Sequence, residues 1–342
     1  MIEINMNDQN KIFYYLDKIV LASISILLIL ICTFKPLGFD KDSYNYLFDL
    51  NNVETASITR EYSFYLIATF INKFFDGDIL YLFLVYALIS IPIKIYVIDR
   101  VNINKYYGLF IYLILFFMIQ ELTQIRVGVS TAFFMLAYLN LLRDKIYLSI
   151  FNIVLSIFFH YQAIFAFFII LFHKLSIKKC LYILIISILI SVLFKNNLFE
   201  YVFSVLENLG LNVLVQKISI YSMSSDYDKV AILGLFQLFI FLILILYLYL
   251  YFKLGLKGRN YIDEINIKLL IFCLSMYFLL SFNATIALRV FEYFSVILIF
   301  VIPSICRFFS PAFLIKIGFS IFLFYYFFNA VYDKFNFNLY GW

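Results

Sequence analysis

The chain has 342 residues, of which 65% are hydrophobic and 22% aromatic, and its formal net charge is +5. A soluble domain averages about 45–50% apolar residues, so a protein covered by water on every side is excluded. The excess of Lys and Arg is what the positive-inside rule produces in a membrane protein, and it gives no reason to invoke nucleic acid.

Apolar runs of about 17–25 residues, long enough to cross a bilayer as helix, recur from end to end. The first, "IVLASISILLILICTF", has no small-residue cleavage pattern and is followed by further runs, so it indicates a retained helix and not a signal peptide. The four cysteines lie in or beside apolar runs without metal-type spacing, and no metal or cofactor motif is present. These patterns predict an all-α, polytopic integral membrane protein forming a single domain over residues 1–342.

Short loops rich in Lys and Arg stay in the cytoplasm and orient the helices. Such loops lie at the N-terminus and at "DRVNINK", "RDK", "HKLSIKK", "KLGLKGR" and Arg307. With all of them on one side, the chain makes about eleven crossings and its N-terminus is cytoplasmic. The opposite side receives two long loops, at about 35–61 and 195–229, and the length of the second predicts a lid.

Two segments fit this topology only as broken helices, which are tolerated where they line a protein cavity. The run 62–75 is too short to span and is predicted to enter and return on the outer side. The run 146–172 connects two basic loops and is predicted to be a hairpin of two short helices with His160 at the bend.

Six polar residues then collect near the outer side: Asp40, Glu61, Glu121, Arg126, His160 and Arg289. Arg126 and Arg289 stand at the outer starts of inward-running helices, each close to an acid in the sequence. A charge inside the membrane costs about 2.5–3.5 kcal/mol on insertion scales, so it usually faces a bundle interior or an aqueous cavity. The alternative is that both arginines extend to the interface. We predict that they share an outward-facing cavity.

The remaining candidates each have an ordinary alternative. His160 can hold or deliver a proton near neutral pH, or it is a core histidine satisfied by a neighbouring helix. Glu121 and Gln124 of "QELTQ" suit a hydroxyl-rich ligand, or form a polar turn. Tyr44, with Asp40, suits stacking on a sugar ring, or it anchors the loop at the headgroup level.

Several short motifs resemble the EpsG/Wzy-type polysaccharide polymerases over about residues 38–305. They are Asp40-x(3)-Tyr44, the "EYSF" beginning at Glu61, "IRVGVSTAFFMLAYLNLLRDK", "FFHYQAIF" and "NATIALRVFEYFSVILIFVIP". Stretch 123–172 carries most of the resemblance. The segment Val127–Val129 departs mildly from the sequence that follows the arginine in many members.

The resemblance implies an enzyme that joins oligosaccharide repeat units carried on undecaprenyl diphosphate, at the outer face of the bacterial cytoplasmic membrane. It implies a fold related to the GT-C class, no cofactor or metal, and a chain-length regulator as protein partner. Guanidinium groups suit phosphate oxygens, so Arg126 and Arg289 are the candidates for binding the diphosphate. Glu61, Asp40 and His160 are the catalytic candidates, and Tyr44, Glu121 and Gln124 are the expected sugar contacts.

Three alternatives remain open at the level of sequence. A flippase or solute transporter would also use broken helices near the membrane midplane, although its charges would be spaced along a path. A ligase that moves finished glycan to lipid A or a protein would share the arginines and the histidine. An O-acyltransferase would need a donor site on the cytoplasmic side, where the loops offer only basic turns.

Overall fold

A computed structural model describes residues 8–334 except 41, 55–59, 102–103, 195–207, 209–233 and 254–260. The described residues form helices and connecting turns and include no β-strand, which confirms the predicted all-α class. The predicted lid over 195–229 lies almost wholly outside the described residues.

The chain divides into two compact units. The first comprises Met1–Leu139, Phe151–Tyr161 and Leu323–Trp342, and the second comprises Asn140–Ile150 and Gln162–Phe322. The single domain predicted from the sequence stays a prediction.

The first unit contains five complete helices, most of two more, and the end of the last. They are α1 (Asp8–Thr33), α2 (Ser43–Asn51), α3 (Tyr62–Phe74), α4 (Ile79–Val101), α5 (Lys105–Ile111, continuing as a π-helix over Tyr112–Thr123), α6 (Ile125–Leu141), α7 (Ile146–Phe159) and the end of α14 (Ala312–Lys334).

The second unit is also helical where it is described. A 3₁₀ segment (Tyr161–Ala166) leads into α8 (Phe167–Lys174). The helices that follow are α9 (Ile177–Phe194), α10 (Leu235–Lys253), α11 (Tyr261–Leu279), α12 (Ala284–Phe294) and α13 (Leu298–Cys306), with a 3₁₀ turn (Ser295–Ile297) between the last two.

Six of the described helical segments are long and apolar enough to cross a membrane. They are Ile12–Thr33, Ile79–Val101, Lys105–Thr123, Leu235–Lys253, Ala284–Cys306 and Ala312–Asn329. Shorter apolar helices cover Ile125–Leu141, Ile146–Phe159 and Tyr161–Lys174. The chain is therefore a multi-pass membrane protein, as the apolar runs predict.

Both predicted interruptions coincide with helix ends. α3 has 13 residues, about 20 Å at 1.5 Å per residue, and it is followed by the left-handed residues Asp76 (φ 52°) and Gly77 (φ 71°) before α4 begins. α7 ends at Phe159, so His160 lies between an α-helix and a 3₁₀ segment. These helix bounds confirm the breaks, whereas the positions of the segments in the membrane stay predictions.

A buried apolar cluster packs α2, α3, α4 and α6 together with the end of α7. Its members are Tyr46, Leu50, Phe64, Ala68, Ile71, Leu82, Phe83, Tyr86, Ile125, Val129 and Phe159. In a bilayer such packing stabilises mainly through van der Waals contact, because lipid tails are as apolar as the side chains. Ile125 and Phe159 directly precede Arg126 and His160, and Glu61 lies three residues before Phe64. The cluster therefore fixes the backbone that carries these three polar residues.

Candidate functional site

Glu61, Arg126 and His160 form one ion cluster in the first unit. Nη1 of Arg126 donates to Oε2 of Glu61, and the two residues are 65 positions apart in the chain. Nδ1 of His160 lies 2.8 Å from the other carboxylate oxygen of Glu61, Oε1, across 99 positions. The carboxylate therefore bridges a guanidinium and an imidazole, with one oxygen for each.

This cluster is largely shielded from solvent: the exposed fractions of the Arg126, Glu61 and His160 side chains are 13%, 5% and 15%. Removing one partner of such a buried pair leaves an uncompensated charge, which costs about 3–5 kcal/mol. The Nε atom of Arg126 is buried and has no hydrogen-bond partner among the described residues. An unsatisfied buried donor costs about 1–3 kcal/mol. A ligand oxygen that accepted a hydrogen bond from this nitrogen would remove that cost.

Each member of the cluster stands at a helix end. Glu61 has extended backbone geometry (φ −67°, ψ 149°) immediately before α3, where the positive end of the helix dipole favours a carboxylate. Arg126 is the second residue of α6, and its guanidinium carbon lies 5.9 Å from the centroid of the Tyr46 ring. His160 follows the last residue of α7. Helix ends leave backbone groups unsatisfied and therefore suit polar ligands.

A second buried ion pair lies beside the π-helix. Lys94 of α4 is fully buried, and its Nζ contacts Oε1 of Glu121 at 2.5 Å and Oε1 of Gln120 at 2.7 Å. The hydroxyl of Tyr112 donates to the same Glu121 oxygen at 3.1 Å. The hydroxyl of Thr131 in α6 donates to Oε1 of Gln120 at 2.9 Å, so this network ties the π-helix to α6.

Gly128 allows α6 to approach the π-helix closely. A Cβ atom at this position would lie 2.7 Å from the backbone oxygen of Gln120 and 2.7 Å from Oε2 of Glu121. Both distances are far below van der Waals contact, so only glycine fits without a shift of one element. Arg126 lies two residues earlier on α6, so its placement depends on this contact.

Lys35, which follows α1, connects its own segment to the end of the π-helix through a hydrogen bond. Its Nζ contacts Oδ2 of Asp40 at 2.8 Å, donates to the backbone oxygen of Leu122, and lies 4.1 Å from the centroid of the Phe83 ring. Burial lowers the pKa of Lys35, and the neighbouring Asp40 carboxylate opposes that shift. Asp40 also accepts from the backbone N–H of Asp42 at 2.9 Å. The cation and the carboxylate thus neutralise one another.

The other predicted site residues lie outside these clusters. Tyr44 is an exposed residue of α2, and Gln124 is a half-buried residue between the π-helix and α6. Arg289 is an exposed residue of α12 in the second unit, where Asn283 caps the helix by accepting from the N–H of Ile286 at 3.0 Å. The shared cavity of Arg126 and Arg289 stays a prediction, as do the sugar contacts.

Sequence reasoning identified Glu61, Arg126 and His160 singly but missed the buried lysines. Lys94 stands inside a 23-residue apolar span, the same signal that singled out Arg126. Glu121, five residues from Arg126 in the sequence, pairs instead with Lys94. Within the described ranges, no three His, Cys, Asp or Glu side chains are placed to hold a metal ion.

Six described helical segments are long and apolar enough to cross a membrane, and a buried Arg–Glu–His cluster lies at the ends of three shorter helices. Together they define a polytopic helical membrane protein with a candidate site for an anionic ligand. The model of the EpsG family matches residues 18–341, and the chain belongs to that family. The EpsG family is one of polysaccharide polymerases, so membership indicates a glycosyltransferase-like enzyme. No curated protein and no solved structure matches the chain.

Proposed function

We propose that the chain joins oligosaccharide repeat units carried on undecaprenyl diphosphate into a surface polysaccharide. The reaction takes place at the outer face of the bacterial cytoplasmic membrane, with the N-terminus in the cytoplasm and a chain-length regulator as protein partner. The single observation that supports this proposal best is the Glu61–Arg126–His160 cluster, because it combines an anion-binding cation with a proton acceptor.

Arg126 is the proposed ligand of the lipid diphosphate. A guanidinium is permanently charged and offers several N–H donors in a fixed plane, which suits phosphate oxygens better than an ammonium does. Its largely buried position strengthens an electrostatic contact relative to one in water. Arg289, the second arginine predicted from the sequence to bind the diphosphate, lies in the second unit, and the proposal rests on Arg126.

The Glu61–His160 pair is the proposed base. The acceptor sugar must lose a hydroxyl proton as its oxygen attacks the anomeric carbon, and an imidazole oriented by a carboxylate is suited to take that proton. A carboxylate near the anomeric carbon also stabilises an oxocarbenium-like transition state. Asp40 is less suited to either role because Lys35 binds it, and Lys94 likewise engages Glu121. Tyr44 and Gln124 remain the proposed sugar contacts.

The test is the length of the polysaccharide made in cells that carry the chain with Arg126→Ala, Arg126→Lys or Arg60→Ala. Arg60 is a matched control because it also pairs with a carboxylate, through Nε to Oδ2 of Asp49 at 2.6 Å. We expect Arg126→Ala to abolish polymer and Arg126→Lys to retain only part of it, because an ammonium cannot bind two oxygens as a guanidinium does.

In the same cells we expect single repeat units to accumulate on the lipid at the outer face, and Arg60→Ala to make normal polymer. Normal polymer from a correctly inserted Arg126→Ala protein would overturn the proposal. Repeat units trapped on the cytoplasmic face would indicate a flippase, and long glycan left on the lipid would indicate a ligase.

A further inference from the structure

The carboxylate of Glu61 occupies a place on Arg126 that a phosphate oxygen would need. We propose that the lipid diphosphate displaces Glu61 from Arg126, and that this exchange activates Glu61 and His160 as the base. The inference rests on the proposed function and adds to it a substrate-driven change of partner at the same site.

The two oxygens of the Glu61 carboxylate have different partners. Oε2 of Glu61 accepts from Arg126, whereas Oε1 lies 2.8 Å from Nδ1 of His160. Since the two contacts use different oxygens, the contact with Arg126 can break while the contact with His160 remains. A carboxylate that held the guanidinium with both oxygens could not make this exchange and keep its imidazole.

The guanidinium of Arg126 has a hydrogen-bond donor that Glu61 leaves unused. Glu61 accepts a hydrogen bond from Nη1 of Arg126, whereas the buried Nε of Arg126 has no hydrogen-bond partner among the described residues. A diphosphate presents several anionic oxygens and can accept from both nitrogens. It therefore satisfies a donor that Glu61 leaves unsatisfied, which favours the exchange.

The exchange also changes the proton affinity of the Glu61 carboxylate. A neighbouring cation stabilises the charged form of a carboxylate and so makes it a weaker base. When phosphate neutralises Arg126, Glu61 keeps only His160 as its partner, and the pair becomes more basic. The acceptor hydroxyl then gives its proton to this pair as its oxygen bonds to the anomeric carbon. The bond from that carbon to the phosphate oxygen breaks, and the lipid diphosphate leaves as an anion on Arg126.

The exchange predicts that Glu61 competes with the substrate for Arg126. The measurement is the affinity of the full-length protein in nanodiscs for farnesyl diphosphate. We expect the Glu61→Gln protein to bind this probe about tenfold more tightly than the native chain, because an amide competes for Arg126 more weakly than a carboxylate does. The same variant should lose polymer synthesis. Glu61→Asp, whose shorter side chain weakens the contact with Arg126 and keeps the charge, should fall between the two in affinity.

Three further variants separate the possible causes of a change in affinity. Arg126→Ala, alone or combined with Glu61→Gln, should abolish the gain in affinity. Asp263→Asn is the matched control, since it removes a buried carboxylate from another arginine, Arg307, in the second unit, and it should leave the affinity unchanged.

The outcomes are distinguishable. If Glu61 only stabilises the fold, its variants should lose both their affinity for farnesyl diphosphate and their polymer synthesis. Unchanged or weaker binding of the probe by Glu61→Gln and Glu61→Asp would overturn the exchange while leaving the proposed function intact. An equal gain in Asp263→Asn would also overturn it. Native affinity in Arg126→Ala would overturn the proposed diphosphate site itself.

Discussion

Three cation–carboxylate pairs in the first unit differ in burial and in the further partners of their charged groups. They are Lys35 with Asp40, Lys94 with Glu121 and Arg126 with Glu61. Both lysine pairs are almost completely buried and also bind the π-helix, as expected for pairs that stabilise the packing of helices. Among the three, the Arg126 pair is the one with a histidine on the second carboxylate oxygen and a buried donor still unsatisfied. The presence of a charged residue in an apolar segment therefore does not by itself indicate a functional site. The partners of that residue are the more informative observation.

The residue whose substitution tests the site geometry most directly is Gly128. We expect Gly128→Ala to lower the free energy of unfolding by about 1–3 kcal/mol, the usual cost of overpacking, because its methyl group would collide with the backbone of Gln120. Polymer synthesis should fall as well, since Arg126 lies on the same turn of α6. Thermal unfolding of the purified protein and polymer length in cells measure the two effects.

Gly318→Ala is the control for this substitution. Gly318 lies in α14, and apart from its chain neighbours and the backbone of its own helix no described atom lies within 4 Å of the position that its Cβ would take. Alanine is a better helix former than glycine, so this variant should be as stable as the native chain or slightly more stable. Equal behaviour of the two alanine variants would contradict the close approach of α6 to the π-helix.

The sequence singles out the three members of the ion cluster but does not predict their pairing. Glu61, Arg126 and His160 stand out because each is a polar residue at the end of an apolar run, and that signal is local. Their contacts join positions 65 and 99 residues apart, which no local pattern encodes. Closeness in the sequence instead suggested Glu121 as the neighbour of Arg126, whereas the turn at Gln124 separates the π-helix from α6 and Glu121 pairs with Lys94.

At the scale of helices, the 12-residue π-helix is the least ordinary of the described elements. π-Helices occur mostly as single turns, often at functional sites. Here the side chains of Gln120 and Glu121 bind Lys94, and the backbone oxygen of Leu122 binds Lys35. The sequence predicts a helix over this run, but its apolar residues surround the whole circumference and carry no period that distinguishes α from π.

Removing the ammonium group of Lys94 tests whether the network holds this element. We expect Lys94→Met to lower the free energy of unfolding by about 3–5 kcal/mol because it leaves the buried Glu121 carboxylate without its cation. Polymer synthesis should fall with it. Chemical or thermal unfolding in detergent gives the stability change.

The double variant Lys94→Met with Glu121→Gln removes both charges and should recover much of the stability, because apolar or neutral replacement of a whole buried pair is often close to neutral. The coupling free energy from this cycle should be well above that for Lys18 with Asp99, a pair whose Lys side chain is 32% exposed and which should couple by about 0–1 kcal/mol. Similar coupling in the two pairs would show that burial does not set the strength of the Lys94 contact.

At the scale of the whole molecule, the fold class and several helix ends follow from the sequence, because run length and hydropathy are fixed by the thickness of the bilayer. The short helix over 62–75 and the break at His160 follow in the same way, from runs that are too short or that connect two basic loops. The division into two units does not follow, since it depends on which helices pack together. Helix packing in membranes relies on small residues and polar contacts that hydropathy does not reveal.

The sidedness of the chain is the remaining molecular prediction, and its four native cysteines make it testable. All four are buried, with exposed fractions of 0–1%, so an impermeant maleimide should label the native protein poorly.

Tyr44 is 60% exposed in the predicted outer loop, and Lys145 is an exposed residue of the predicted cytoplasmic turn. We expect Tyr44→Cys to react with the reagent in intact cells or spheroplasts, and Lys145→Cys to react only after the membrane is permeabilised. The physical reason is the retention of short Lys- and Arg-rich loops in the cytoplasm, which predicts that Tyr44 lies on the outer side, where the proposed reaction takes place. Reaction of Lys145→Cys in intact cells, with protection of Tyr44→Cys, would invert the topology and put the Glu61–Arg126–His160 cluster on the wrong side for the proposed reaction.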